Sequence, residues 1–113
     1  MKLLNGSAAL ACYALVDSGA DDCIFPASFA AQLGLNYLSG RHYPFGGVGK
    51  KDQEAYFFDV EMDIVGIVKY RQAIGFSASL EQHGHGLLGQ NGFFDRFSLG
   101  FHHPRGVFAI YTP

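Results

Sequence analysis

The chain has 113 residues, of which 49% are hydrophobic and 15% aromatic, with a formal net charge of -2 at pH 7. That length suits one globular domain spanning 1–113, with room for one modest core. The charge gives no basic field for a phosphate backbone, so nucleic acid is not expected as a partner. No apolar run approaches the roughly 20 residues that cross a bilayer, so no membrane segment is expected in this chain. The expectation is a soluble domain, cytoplasmic by default, either alone or as part of a larger or membrane-anchored parent.

Fifteen glycines, eleven phenylalanines and no tryptophan, in short apolar runs broken by glycine, favour a turn-rich all-β protein. Asn5-Gly6 predicts an opening hairpin between residues 2–4 and 8–16 that delivers the chain into Asp17. Pro26, the helix formers at 27–33 and Gly34 predict a helix of about two turns. Residues 42–58, with a glycine-rich tip at 45–49, predict a hairpin with little to pack its tip. Phe58, Val60, Met62 and Ile64 alternate with Asp59, Glu61 and Asp63, the period-two pattern of a strand with one buried face. Gly66 turns that strand into a second one at 67–77, with Val68, Tyr70, Gln72, Ile74 and Phe76 on one side. A buried strand at 86–89, a helical turn at 91–97 and a closing hairpin at 98–111 complete the series.

Asp17-Ser18-Gly19 follows the apolar stretch Tyr13-Ala14-Leu15-Val16, so a carboxylate emerges at the end of a buried strand. Gly19 permits a tight backbone, the Ser18 hydroxyl offers a hydrogen bond to fix the loop, and Ala20 keeps the approach narrow. These residue types suit a rigidly held acid. Asp21 and Asp22 read equally as solvated turn residues or as groups binding a substrate's main chain.

The stretch Ala14-Leu15-Val16-Asp17-Ser18-Gly19-Ala20-Asp21-Asp22 resembles the active-site turn of the retropepsin-like aspartic proteases. Phe45-Gly46-Gly47-Val48-Gly49 is similar to the flap tip of that family, and Leu87-Leu88-Gly89-Gln90-Asn91 to its apolar pair and glycine ahead of a helix. The three segments occur in the family's order and span nearly the whole chain. The resemblance implies a closed acid-protease β-barrel with one or two short helices, one lobe per chain, and a homodimer sharing one site. It implies an aspartic endopeptidase in which Asp17 of each chain holds a water between two carboxylates. Ser18 and Gly19 then complete the catalytic turn, and Ala20, Asp21, Asp22, Phe45, Gly46, Gly47, Val48 and Leu88 bind a peptide or protein substrate. The alternative is a peptide-binding or dimerisation module of the same fold without turnover.

Retroviral members commonly carry an arginine after the Leu-Leu-Gly segment, paired with the acid at the position of Asp21. Gln90 stands there in this chain, so a neutral amide contact with Asp21 is expected. Few residues precede the first turn, which assigns the dimer contact to the apolar hairpin at 98–111. No cofactor is expected, and no metal: Cys12 and Cys23 read as buried thiols, and His83, His85, His102 and His103 lack a carboxylate or cysteine partner nearby. The run Gly46-Gly47-Val48-Gly49-Lys50 fails as a phosphate cradle, because Pro44 and Lys51 stand where glycine and a magnesium-binding hydroxyl are required.

Overall fold

The computed structural model describes residues 1–45, 53–102 and 107–111. Strands β1 (Lys2–Asn5) and β2 (Ala8–Ala11) form the opening hairpin, with Asn5 opposite Ala8. The turn is therefore Gly6-Ser7, one residue later than the Asn5-Gly6 signal, and Gly6 takes the positive φ of 59° that such a turn requires. The expected run over 8–16 is two strands. Cys12 still exchanges backbone bonds with Met1, and past Tyr13 the chain starts β3 (Ala14–Val16), which pairs elsewhere.

Strand β4 (Ile24–Pro26) enters α1 (Ala27–Gln32) directly. The helix ends as its sequence predicts: Gly34 N–H donates to the Ala31 carbonyl and Leu35 N–H to the Ala30 carbonyl, with Gly34 at φ 74°. The Asn5 amide donates to the Leu33 carbonyl (2.9 Å), tying the first hairpin to the helix end.

Strand β5 (Arg41–Phe45) pairs antiparallel with β6 (Gln53–Ile64), which pairs antiparallel with β7 (Val68–Ser77). Strand β8 (Gly86–Leu88) follows, then a series of turns, then β9 (Ser98–His102) and β10 (Val107–Tyr111). The last two form their own two-stranded sheet, with Val107 opposite His102. The expected helix at 91–97 is a set of wide turns. Phe94 and Asp95 N–H donate five residues back, to Gly89 and Gln90, and only Phe97 N–H reaches the Phe93 carbonyl in the α pattern.

The main sheet runs β2-β1-β6-β7-β4-β8-β3, with β5 joined to β6. The described residues are mostly β with one α-helix, and this sheet curls into a half-barrel. Strand β6 shows how. Val60 and Met62 are fully buried in a cluster with Leu3, Phe25, Leu33, Ile74 and Phe76. Ala55 and Phe57, of opposite parity, are buried in a second cluster with Ile24 and Leu80. One twelve-residue strand thus covers a core with each face in turn, as the right-handed twist of a long strand allows. Period-two reading finds the first face and misses the second. Each large side chain removed from water in this way stabilises the fold by roughly 1.5–3 kcal/mol.

Polar groups inside are paired. Ser77 is 1% exposed, and its hydroxyl donates to the Glu54 carbonyl (2.7 Å). The Tyr70 hydroxyl donates to the Gly92 carbonyl (2.7 Å), and the Arg96 guanidinium lies over the Tyr70 ring at 4.8 Å. Together these hold the turns after β8 against β7.

Strand β8 threads between β3 and β4, and a side chain at Gly86 would run into the Phe25 ring. Gly86→Ala is therefore expected to cost about 1–3 kcal/mol in urea denaturation, the range for overpacking a core. Adding Phe25→Leu is expected to recover part of that loss, because the two sites share one clash. Strictly additive losses would exclude this steric account.

Candidate functional site

The parallel ladder between β3 and β8 sets Ala14, Leu15 and Val16 opposite Gly86, Leu87 and Leu88. It is extended beyond both strands. Asp17 N–H donates to the Leu88 carbonyl (3.0 Å), Gln90 N–H to the Ala20 carbonyl (2.9 Å), and Asn91 N–H to the Asp21 carbonyl (2.7 Å). Residues 17–22 are thus fastened at intervals to 88–91. Gly89 lies under this crossing, where a Cβ would collide with the carbonyl oxygens of Asp22 and Ala20. The glycine of the Leu-Leu-Gly segment has a steric purpose here.

Asp17 is half-buried at the end of β3, and its Oδ1 accepts a hydrogen bond from Gly19 N–H (2.9 Å). Ala20 N–H closes the turn on the Asp17 carbonyl (3.1 Å). This is an Asx turn, which aims the carboxylate and leaves its second oxygen without a bond among the described residues. Ser18 and Gly19 are exposed and Ala20 is half-buried.

Gln90 does not contact the Asp21 side chain as expected. Its amide donates to the Ser18 carbonyl (2.8 Å), so it braces the Asp17 turn. An amide can take this role because the acceptor is a neutral carbonyl rather than a carboxylate. The Asp21 carboxylate is exposed, while half-buried Asp22 accepts from the Asn91 amide (3.1 Å). Asn91 had no assigned role at the sequence level. Its signal was its place two residues beyond the required Gly89, which brings it beside Asp22 as an isolated parallel bridge.

Leu88 is 4% exposed and packs in the main core. Leu87, its neighbour on the opposite face, packs against the second cluster. Phe45 ends β5 opposite Gln53. Gly46, Gly47 and Val48 lie outside the described residues, as does the turn at 103–106.

Two cavities among the described residues are lined by groups of β3, β8 or the loop after β3. One of about 180 Å³ lies among Cys12, Tyr13, Val16, Leu88 and Phe93. A larger one, about 440 Å³, is lined by Asp22 and Asn91 together with Arg41, Tyr43, Phe57 and Gln72. Among the described residues, no three His, Cys, Asp or Glu side chains are grouped to hold a metal ion. No helix among them is long and apolar enough to cross a membrane. Strand β3 forms one end of the sheet, with Tyr13 beside it 87% exposed and Leu15 54% exposed.

No protein-family model matches this chain, and no curated protein or solved structure matches it.

Cys12 is half-buried and Cys23 fully buried. Burial pushes the Cys23 thiol up from 9.0 to about 11, against a smaller downward pull from its hydrogen bond with the Gly89 backbone. Burial also raises Cys12, partly offset by the N-terminal ammonium. A neutral thiol is favoured in the folded state, so its contribution is complete below pH 9 and is lost as pH rises toward 11. Denaturation midpoints are expected to fall between pH 9 and 11, with a shallower fall in Cys23→Ala. Identical slopes in the two proteins would contradict this assignment.

Proposed function

We infer that the chain is an aspartic endopeptidase of the retropepsin-like family, acting as a homodimer in which the Asp17 carboxylates of two copies form one site. The observation that carries this reading is the Asp17 turn itself. A half-buried carboxylate has one oxygen fixed by Gly19 N–H, while its backbone is fastened to Leu88 behind it. The second oxygen is left to meet a partner group. A surface aspartate that merely closed a turn would not need Gly89, Gln90 and Leu88 behind it.

Two carboxylates about 3 Å apart cannot both ionise, so one keeps a proton while the other acts as a base. The base takes a proton from the water as its oxygen bonds to the peptide carbonyl carbon, and the acid gives its proton to the carbonyl oxygen. Collapse of the tetrahedral species breaks the carbon–nitrogen bond, and the leaving nitrogen takes a proton from the pair. The two acids titrate together. Ser18 and Gly19 shape the turn, while Ala20, Asp21 and Asp22 lie along the path of an extended substrate cleaved at apolar side chains. The β5–β6 pair is the stem of the flap that this reading requires, and a flap serves to exclude water from the peptide.

The closed barrel belongs to the same reading: two half-barrels complete each other in the dimer. The apolar edge at Tyr13 and Leu15 supplies a surface for that pairing, since an edge strand bearing apolar side chains invites a partner; the apolar sequence of 98–111 is assigned the second contact.

Purified protein is expected to cleave a denatured protein substrate at acidic pH, with inhibition by pepstatin. Asp17→Asn is expected to lower turnover by about a thousandfold or more, the range for removing a general acid–base group. Sedimentation in the same buffers is expected to show a dimer. Equal silence of the native protein, the variant and the inhibited sample at every acidic pH would overturn the enzymatic reading and leave a peptide-binding module.

A further inference from the structure

The larger cavity, which Asp22 lines, has a chemistry that says which substrate side chain it would take. Its apolar surface comes from Phe57, which is 9% exposed, and from Ala73, with the Tyr43 ring standing edge-on to Phe57 at 5.8 Å between centroids. Its polar groups are unequal. Arg41 is already matched, its Nη2 lying 3.3 Å from Asp59 Oδ1. Gln72 is also engaged: its carbonyl oxygen accepts from Arg96 Nε (2.9 Å) and its amide donates to the Ala73 carbonyl (3.3 Å). Half-buried Asp22 accepts only from the neutral Asn91 amide, and no cation lies within 4 Å of it among the described residues. The unbalanced charge of the cavity is therefore negative. Asp22 shares that cavity with the apolar groups of Phe57 and Ala73 and the Tyr43 ring.

A lysine or arginine side chain matches this arrangement. Its aliphatic stem would lie on Phe57 and Ala73, the Tyr43 ring would flank it, and its charged head would reach Asp22. An acidic side chain would meet Asp22 unfavourably, and an apolar one would leave that carboxylate facing hydrocarbon. We propose that the cavity between Asp22 and Tyr43 is a binding pocket for a basic side chain of an extended peptide. This rests on the proteolytic reading only in placing that peptide across the Asp17 turn. Asp17 and Asp22 are five residues apart in one loop, hence no more than about 18 Å apart, so the basic residue lies within about six positions of the bond to be cleaved.

The test uses binding, so that it stands apart from turnover. Full-length Asp17→Asn protein is presented with a library of extended peptides, and the bound peptides are sequenced. Lysine or arginine is expected to be enriched at one position. A fluorescent peptide carrying lysine there is expected to bind about tenfold more tightly than its norleucine counterpart, the scale of one half-buried charge pair. Adding Asp22→Asn, which keeps an oxygen for the Asn91 amide, is expected to bring that ratio near one. Ala73→Lys, which tethers a competing cation in the cavity, is expected to do the same. Absence of basic enrichment, absence of binding, or a ratio unchanged by both substitutions would each overturn the pocket. Basic enrichment without any cleavage by the native protein would retain the pocket and remove the protease.

Discussion

The crossing of residues 17–22 over 88–91 is the constraint on which the rest of the structure depends. Strand β8 is only three residues long, yet it takes β3 on one side in a parallel ladder and β4 on the other through the Ile24 and Leu87 bridge. It joins chain segments more than 60 residues apart. Bringing them together costs loop-closure entropy before any contact repays it, so this crossing forms late unless the long hairpin of β6 and β7 has already shortened the path. Gly89 makes the approach sterically possible, and the bonds from Asp17, Gln90 and Asn91 make it tight. A slip of one residue would face Leu87 into the main core and turn Leu88 out of it.

The β6–β7 hairpin provides the rigid background. Its upper and lower halves cover different clusters with opposite faces of β6, so the sheet is held in a curl from both sides. Tyr70 carries this rigidity to the turns after β8 through its bond to Gly92, its contact with Phe97 and the guanidinium of Arg96 over its ring. Burial raises the Tyr70 hydroxyl well above its ordinary value, which keeps that donor protonated wherever the fold survives. The site loop is therefore positioned by packed strands rather than by its own residues.

The same short loop carries two carboxylates in different settings. Its first residue presents a carboxylate aimed by an Asx turn, and its last presents a carboxylate in a partly apolar cavity. Because both ends are fastened to 88–91, any ligand that engages Asp22 lies in a fixed relation to Asp17. In the proposed enzyme, binding energy gained at a distant basic side chain would help hold the scissile bond in register.

The long strands, the helix with its Gly34 ending and the closing hairpin were legible, because periodicity and turn chemistry are local properties that each segment carries alone, whereas the three-residue β4 and the break between β2 and β3 were not. The order of the three motifs pointed to Asp17 by resemblance. Gln90 finds Ser18 rather than Asp21, because both lie about seventy residues away in sequence and only the path of the backbone chooses between them. The second cluster was missed because Ala55 and Phe57 obey the other parity of a strand whose twist is a property of the whole sheet. Asn91, Arg41 and Tyr43 gave no signal of a pocket, since they come from a turn and from a hairpin about fifty residues earlier. Local sequence determined which residues extend, turn or coil. The tertiary fold decided which carbonyl each side chain finds and which distant groups line one cavity, because those depend on distances that only the curled sheet sets.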